Sequence, residues 1–513
     1  MADRQAADRS WSTLNALEHP RLSDLFAADP ERLAKLSTRL ELGEGGVLFD
    51  WSKTHLDDPH LDEFEALAEA MDFAGARAAL LGGGVVNVSE GRAAEHTAQR
   101  GTGSEEAVAL AQVLHARMAG LVDAIHKGVF GEIRHLIHIG IGGSALGPAL
   151  AVGALARPNG SLGGAMVDVH VVSNIDGCAL EAAFAGCDPQ ATMLAVASKT
   201  FTTIETMTNA ASALAWLESA GVADPFGRVV ALTASPEKAV EWGVDETRVL
   251  PFPESVGGRY SLWSSIGFPV ALALGWPDFA EMLGGAATMD RHFATAEGRD
   301  NLPLRAAFAD LLYSRLRHCQ TRAVFAYDER LTLLPSYLQQ LEMESNGKSA
   351  TLSGNPVDGP TAPVTWGGVG TDAQHAVFQL LHQGTSLVPV EFVAAVVPGD
   401  DLDEAHHRIL LANCFAQGAA LMQGRCSDDA ARTYPGDRPS ETVLIDELSP
   451  ASFGALIAFY EHRTFANAVL MGINPFDQFG VELGKQIAGQ MEQGGAIFDP
   501  STQALLLAAG IGS

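Results

Sequence analysis

Short apolar runs alternate with longer helix-like stretches from residue 134 onward, and this alternation constrains the fold more than any other feature. The runs lie at residues 135–139, 167–172, 192–197, 228–233, 323–327 and 387–397. Strands separated by helices usually form βαβ units, which build parallel sheets covered by helices. We therefore predict the α/β fold class, with one α/β region followed by a second.

The chain is long enough for more than one domain. Its 513 residues, 47% of them hydrophobic, exceed what a single core normally serves. Residues 1–110 read as mostly helical, and a strongly helical run follows from residue 105 to 127. We predict an N-terminal helical region at 1–110 that packs on the second domain, a first α/β domain at 111–275 and a second at 276–513.

The charge balance limits the partners. Lysine and arginine total 33 against 62 aspartates and glutamates, which gives a formal net charge of −29. Such a surface disfavours nucleic acid and anionic membranes as partners. A phosphate ligand would approach against the overall field, so its site has to be built locally from a few cations, hydroxyl groups and helix N-termini.

The cysteines and the N-terminus indicate the compartment. The five cysteines form no CxxC pair and are odd in number, which predicts neither a zinc cage nor a disulfide framework. The N-terminal segment has no apolar core of signal-peptide length, and no run of eighteen apolar residues follows. We expect an untargeted protein of the reducing cytoplasm.

The first strand runs into a glycine-rich segment, HIGIGGSALGP, at residues 138–148. Gly140, Gly142 and Ala145 fit a dinucleotide fingerprint, and Asp176 after the next strand could then bind a ribose hydroxyl. The same backbone could instead form a phosphate or sugar loop, with Ser144 as an added donor. A tight strand-to-helix turn also explains the glycines, so three interpretations stay open here.

The third strand ends in SKTFTTIETMTNA, residues 198–210, which is more specific. Ser198, Lys199, Thr200, Thr202 and Thr203 crowd the junction with the next helix, and Thr202 with Glu205 matches a capping box. Hydroxyl groups, a lysine and free N–H groups at a helix start are the groups that hold a phosphate. Capping explains one threonine but neither the lysine nor the other hydroxyls, so phosphate binding is favoured.

Two further segments carry candidate charges. In VGGRYSLWSSIGFP, residues 256–269, Arg259 follows two glycines and could project into a cleft to stabilise an oxyanion, or lie on the surface.

In LEMESNGK, residues 341–348, an apolar helical pattern stops at Asn346 and Gly347, which tolerate the left-handed conformation that closes a helix. Glu344 then lies in the last turn, where the helix dipole opposes its ionisation and suits a general base. A solvated glutamate is the alternative.

A histidine and a lysine complete the candidates. In GTDAQHAVFQLLHQGT, residues 370–385, Thr371 or Asp372 could cap the helix and place His375 in its first turn, where the dipole favours a neutral imidazole. In INPFDQFGVELGKQIA, residues 473–488, Lys485 follows Gly484 in an apolar helical pattern. It could be a packing residue with an exposed tip or a catalytic cation.

These six segments, in this order, resemble the signatures of the phosphoglucose isomerase family over about residues 130–490. The resemblance implies two sugar-isomerase (SIS-type) doubly wound parallel-sheet domains with additional N-terminal and C-terminal helices. It also implies interconversion of glucose 6-phosphate and fructose 6-phosphate, a homodimer, and neither a cofactor nor a metal. In that family the histidine matching His375 is supplied across the dimer interface.

The resemblance also assigns roles. Glu344 would be the base that moves a proton between the first two sugar carbons, and His375 and Lys485 would assist ring opening. Arg259 and Gln478 would surround the enediolate and the sugar hydroxyls, while Gly142 and Gly143 would bring backbone close to the sugar. The phosphate would be held by Ser144, Ser198, Lys199, Thr200 and Thr203.

Some positions depart from the family pattern. Asp372-Ala373 replaces the usual Asn-Gly, Phe479 a usual tryptophan and Pro475 a usual serine. Asp372 adds a negative charge beside His375. The alternative function is a non-catalytic phosphosugar-binding regulator of the same fold, which would have no need for Glu344, His375 and Lys485 together.

Overall fold

The computed structural model describes residues 2–156, 166–493 and 497–511. The chain divides into two compact units, Met1–Pro475 and Phe476–Ser513. The first unit contains both large sheets described below. The division into domains at residues 110 and 275 remains a prediction.

The strands lie in the first unit. Their bounds are β1 Ser37–Glu41, β2 Gly46–Asp50, β3 Val85–Asn87, β4 Arg92–Ala93, β5 His135–Gly140, β6 Asp168–Val172, β7 Thr192–Ala197, β8 Val229–Thr233, β9 Val249–Pro251, β10 Thr321–Tyr327, β11 Val364–Val369, β12 Val390–Ala395 and β13 Ser440–Ile445.

The α-helices connect and cover these strands, and the last two belong to the second unit. Their bounds are α1 Arg4–Ala16, α2 Leu22–Ala28, α3 Arg32–Leu36, α4 Asp58–Ala70, α5 Phe73–Leu81, α6 Glu105–His126, α7 Leu146–Leu155, α8 Gly177–Ala185, α9 Ile204–Ser219, α10 Pro236–Trp242, α11 Phe268–Leu274, α12 Trp276–Thr295, α13 Leu302–Leu311, α14 Leu334–Leu338, α15 Gly370–Gln383, α16 Glu404–Gln423, α17 Pro450–Met471, α18 Glu482–Gln493 and α19 Pro500–Ala508.

The first sheet has the order β6-β5-β7-β8-β9, and its neighbouring strands are parallel. Strands β5 to β8 confirm the four predicted ones to within a residue at each end, while β9 is additional. Side chains from β5, β7 and β8 form one core with residues of α8, α9 and α10. Because the strands are parallel, their carboxyl ends share one edge of the sheet, and the glycine-rich and hydroxyl-rich segments both begin there.

The second sheet has the order β1-β2-β13-β12-β10-β11. Strands β10 to β13 are parallel and confirm the predicted second α/β region. The hairpin of β1 and β2 adds antiparallel strands at one edge, so the sheet is mixed and residues 1–110 are less helical than predicted. β1 and β2 are only five residues each, which explains why the helical pattern around them hid this hairpin.

Strand β11 lies within residues 353–370, whose glycine and proline content predicts a loop rather than a strand. Its sequence, VTWGGV, contains two consecutive glycines, which weaken a strand pattern. A Cβ atom on Gly367 would lie 1.8 Å from the carbonyl oxygen of Val324, so the adjacent strand approaches too closely for any side chain. Gly367 therefore marks close backbone packing rather than a loop.

Helix α6 is, among the described residues, the one helix long and apolar enough to meet a length-and-composition criterion for a membrane span. Such a helix is weak evidence, because the core helices of globular proteins meet the same criterion. His115 on this helix is buried, and its Nε2 lies 2.8 Å from the carbonyl oxygen of Trp263. This helix packs within the first unit.

Candidate active site

The glycine-rich turn after β5 is shaped by contacts with other parts of the protein. Gly142 has a φ of +58°, a left-handed conformation that favours glycine. A Cβ atom on Gly143 would lie 2.1 Å from the carbonyl carbon of Gly258 and 2.4 Å from the amide nitrogen of Arg259. Close packing against the Gly258–Arg259 backbone is sufficient to require a glycine at position 143.

His138 and Ser144 join this turn to the end of β5. The buried imidazole of His138 lies 2.6 Å from the carbonyl oxygen of Ser144 through its Nε2 atom. Burial lowers the pKa of His138 to about 4, so the ring is neutral at physiological pH and its Nε2–H donates to that carbonyl. The side chain of Ser144 is half-buried beside the turn, as the phosphate or sugar loop interpretation requires.

The hydroxyl-rich segment after β7 forms a compact loop, residues 198–203, before helix α9. Ser198 Oγ and Thr203 Oγ1 lie 3.0 Å apart, and Thr200 Oγ1 and Thr202 Oγ1 lie 2.9 Å apart. Helix α9 begins at Ile204 with Thr203 as its N-cap, and in the described part of the chain no side-chain hydrogen bond caps it. The predicted capping box of Thr202 and Glu205 is therefore wrong, and capping does not account for these hydroxyl groups.

Lys199 points from this loop towards the segment that carries Arg259. Its Nζ atom donates hydrogen bonds to the carbonyl oxygens of Glu254 at 2.7 Å and Val256 at 3.5 Å. Burial, with a further contribution from Arg92, lowers the pKa of Lys199 to about 8. The ammonium group is thus partly desolvated at the loop, which strengthens its attraction for an anion.

Arg259 is buried and held by several partners. Its Nε donates to Ser345 Oγ at 2.6 Å, and its Nη2 makes a short hydrogen bond to the carbonyl oxygen of Pro475. The hydroxyl of Tyr260 lies 2.9 Å from the same Ser345 Oγ. The surface interpretation of Arg259 is wrong. Because the contact at position 475 uses a backbone oxygen, proline can replace the family's usual serine there without losing it.

Glu344 lies next to this arginine. Its Oε1 is 3.7 Å from Arg259 Nη1, and its Oε2 accepts a hydrogen bond from Gln340 Nε2 at 2.9 Å. The carboxylate is largely enclosed, with 19% of the side chain exposed. Residues Gln339–Glu344 form a π-helical segment, a rare geometry that is frequent at functional sites.

The helix that carries Glu344 ends close to the predicted position but in a different way. Helical backbone continues to Asn346, and in the described backbone neither Asn346 nor Gly347 has a positive φ. A Cβ atom on Gly347 would lie 2.3 Å from the carbonyl oxygen of Met343. The prediction of a left-handed closing residue is therefore wrong, and close contact with the preceding turn explains Gly347.

The histidine helix begins earlier than predicted. α15 begins at Gly370 with Val369 as its N-cap, so Thr371 and Asp372 lie inside the first turn and His375 lies in the second. The side chain of His375 is exposed and takes part in none of the hydrogen bonds or ion pairs described within this chain. The structure therefore leaves His375 available for a contact outside the chain.

The remaining two candidates belong to the second unit, which is described by itself. Gln478 precedes a short 3₁₀ turn, Phe479–Val481, and Lys485 lies on helix α18 with its side chain exposed. The sequence pattern predicts a helix entry at residues 477–480, and α18 begins two residues later, at Glu482. The roles of Gln478 and Lys485 remain predictions.

Sequence reasoning missed two residues that position the site. Gln340 holds one oxygen of Glu344, and Ser345 holds Arg259 together with Tyr260. The four-residue spacing of Gln340 and Glu344 on a predicted helix was an available signal. For Ser345 the sequence offered only its position beside Glu344.

A glycine turn and a hydroxyl-rich loop lie at the carboxyl edge of a parallel sheet, and an enclosed carboxylate and a buried arginine lie beside them. These features together define the class of α/β sugar isomerases. The phosphoglucose isomerase family model matches residues 50–506. Curated glucose-6-phosphate isomerases of Erythrobacter litoralis and Novosphingobium aromaticivorans are 69% and 68% identical, over 99% and 98% of this chain and 99% of each relative. The chain belongs to the phosphoglucose isomerase family.

A solved structure agrees with this assignment. The crystal structure of a glucose-6-phosphate isomerase from Chlamydia trachomatis superposes with a TM-score of 0.88 and 31% sequence identity, covering 99% of both chains. The match extends over the full architecture, including the antiparallel hairpin region that the sequence pattern did not reveal. The fold class is confirmed.

Proposed function

We propose that this chain interconverts D-glucose 6-phosphate and D-fructose 6-phosphate by ring opening and a cis-enediolate intermediate, as a step of glycolysis and gluconeogenesis. The observation that carries the proposal is the convergence of four segments that are distant in sequence. The turn at Gly143 packs on Arg259, Arg259 lies 3.7 Å from Glu344, and Lys199 bonds to the segment that precedes Arg259.

Glu344 is the proposed base. An aldose–ketose isomerisation removes a proton from one carbon beside a carbonyl and returns it to the neighbouring carbon, and one carboxylate can perform both transfers. Gln340 fixes one oxygen of Glu344, which leaves the other to face the substrate. Arg259 is close enough to stabilise the negative charge of the enediolate, and Ser345 and Pro475 hold its guanidinium in place.

The loop at residues 198–203 is the proposed phosphate site. Its hydroxyl groups, the ammonium of Lys199 and the N-terminus of helix α9 provide donors and positive charge. Ser144 and Gly142 are proposed to line the sugar side of the site. Binding energy from the phosphate orients the reacting carbons, since interactions remote from the reacting centre can be used for positioning.

A coupled assay tests the proposal. Fructose 6-phosphate is supplied with a chelator present, and the glucose 6-phosphate that forms is measured with a dehydrogenase. We expect isomerisation at the same rate with the chelator as without it. Binding of fructose 6-phosphate without turnover would instead identify a phosphosugar-binding regulator.

Lys199 gives a prediction with a pH dependence. Lys199→Ala is expected to raise KM about 10- to 100-fold with little change in kcat, because a charge-assisted bond to the phosphate is lost. Only the protonated lysine attracts the dianion, so kcat/KM of the native protein should fall as pH rises through about 8. Lys199→Arg should remove this decline. An unchanged KM in the alanine variant would exclude Lys199 from the phosphate site.

We further propose a homodimer in which His375 completes the site of the partner subunit and assists ring opening with Lys485. The exposed, unbonded position of His375 on α15 supports this. Two chains that each carry a net charge of −29 repel each other, but salt screens this repulsion beyond about 8 Å at physiological ionic strength, so favourable local contacts can outweigh it. The five unpaired cysteines support a location in the reducing cytoplasm.

Mixing two inactive variants tests the shared site. Glu344→Gln and His375→Ala subunits are co-expressed, and the mixed dimers are isolated through different tags. Each mixed dimer contains one complete site of its two, so isolated mixed dimers should recover about half of native activity, and the unsorted random mixture about a quarter. Purified mixed dimers without activity would place His375 and Glu344 in a site within one subunit, and an active His375→Ala homodimer would remove His375 from the site.

A further inference from the structure

Two histidines and a cysteine meet at the edge of the first sheet opposite the candidate active site. His135 begins β5, His170 lies in β6, and Cys187 follows helix α8. The parallel register pairs His135 with Asp168 and Ile137 with His170, which places both imidazoles on one face. Their ligand atoms and the Cys187 sulfur all lie within 4.8 Å of one another.

We propose that His135, His170 and Cys187 form a binding site for a divalent transition-metal ion, for which zinc is the best match. Two imidazole nitrogens and a thiolate are the donors that zinc prefers, and a tetrahedral site places such donors roughly 3.3–3.6 Å apart. Closing the present cluster around an ion needs a contraction of up to about 1.2–1.5 Å, which is within the reach of side-chain rotation. This inference does not depend on the proposed isomerase activity.

In the part of the chain that the structure describes, no hydrogen bond occupies the two histidine nitrogens of the cluster. These atoms, His135 Nδ1 and His170 Nε2, are both buried. Asp168 Oδ2 lies 3.2 Å from His170 Nε2 and 3.9 Å from His135 Nδ1, as a charge contact without hydrogen-bond alignment. Asp168 is thus placed to supply a fourth, oxygen ligand, and its negative charge favours a cation at this position.

The backbone leaves room for the cluster. A Cβ atom on Gly186 would lie 2.8 Å from Cε1 of His170, so the glycine before Cys187 allows the ring to approach. Gly186 is also the C-cap of helix α8, whose carboxyl end carries a partial negative charge. The imidazoles are 18% and 25% exposed although their ligand nitrogens are buried, so an ion would reach these nitrogens when the rings rotate.

Zinc binding would break the S–H bond of Cys187, form an S–Zn bond and release the proton to solvent. The site is structural rather than catalytic, because five residues of β5 separate His135 from Gly140. At about 3.3 Å per residue, the ion would lie roughly 16 Å from the glycine turn. It would join β5, β6 and the segment after α8, and so stabilise the sheet.

Cobalt provides the test, since it occupies zinc sites and reports its ligands by absorption. Untagged full-length protein, stripped with a chelator, is titrated with Co²⁺. We expect one tightly bound ion per chain, a sulfur-to-cobalt charge-transfer band, tetrahedral d–d bands, and displacement by Zn²⁺.

Cys187→Ser should lose the charge-transfer band, and His170→Ala should lose cobalt binding. Cys178→Ser is the matched control, because Cys178 is exposed on α8 outside the cluster, and it should behave as the native protein.

A second measurement avoids any variant. Native protein with and without Zn²⁺ is alkylated, and the peptide that contains Cys187 is quantified by mass spectrometry. Zinc should protect Cys187 while Cys178 reacts equally in both samples, and zinc should raise the melting temperature with isomerase activity unchanged. Absence of stoichiometric cobalt uptake, an unprotected Cys187, or loss of activity on chelation would overturn the proposal.

Discussion

Glu344→Gln is expected to lower kcat roughly 10²- to 10⁴-fold, the range that a positioned acid–base group contributes. Glutamine keeps the shape of the side chain and can still contact Gln340 and Arg259, so the fold and sugar-phosphate binding should be retained. The fall in kcat would therefore reflect lost proton transfer rather than weaker binding of the sugar phosphate. Steady-state kinetics with fructose 6-phosphate, together with equilibrium binding of the same compound, separate these two effects.

Glu342 provides the matched control. It lies two residues earlier, is buried, and pairs with Arg322 at 2.8 Å instead of facing the proposed site. Burial raises the pKa of Glu342 while the charge of Arg322 opposes this shift, and a glutamine there keeps the shape of the side chain. Glu342→Gln should alter kcat far less than Glu344→Gln. Equal losses in both variants would mean that charge in this segment serves structure and not the reaction.

The second large effect concerns stability. Gly143→Ala is expected to lower the free energy of unfolding by about 3 kcal/mol, because the new Cβ would meet the Gly258–Arg259 backbone and that backbone cannot rotate away. Displacement of Arg259 should also reduce activity in the protein that still folds. Urea unfolding followed by circular dichroism, with activity measured on the same samples, checks both expectations.

Gly153→Ala is the control for this experiment. Gly153 lies on α7, ten residues further along, and a Cβ atom there would have no described neighbour within 4 Å. Alanine in a helix with open space should stabilise the protein by about 0.5–1 kcal/mol. A Gly143→Ala variant as stable as native protein would contradict the close packing of the turn on Arg259.

Much of the architecture follows from local sequence patterns. Strands of five or six buried residues, such as β5 and β7, contrast strongly with the helices around them, so their existence and approximate ends were predictable. The candidate residues at the carboxyl ends of these strands were predictable for the same reason. A parallel sheet brings the residues after its strands to one edge whatever their distance in sequence.

Features that depend on contact between distant segments were not predictable. The sequence predicts that Gly143 brings backbone close to the sugar, but it does not reveal that this glycine packs against the backbone of Gly258. His135, His170 and Cys187 have no metal-binding spacing and meet only because β5 and β6 pair in register. The π-helical segment that presents Glu344 likewise has no signature in a pattern of apolar residues.

The most direct test of Glu344 as the base is isomerisation in deuterium oxide, followed by NMR of the sugar phosphates at C1 and C2. A proton carried by a carboxylate exchanges with solvent before it is returned, so the native protein should introduce deuterium at these carbons. Glu344→Gln should introduce deuterium at least about 100-fold more slowly, while Glu342→Gln should stay close to the native rate. Extended turnover without deuterium at either carbon, or exchange at the native rate by Glu344→Gln, would contradict proton transfer by Glu344.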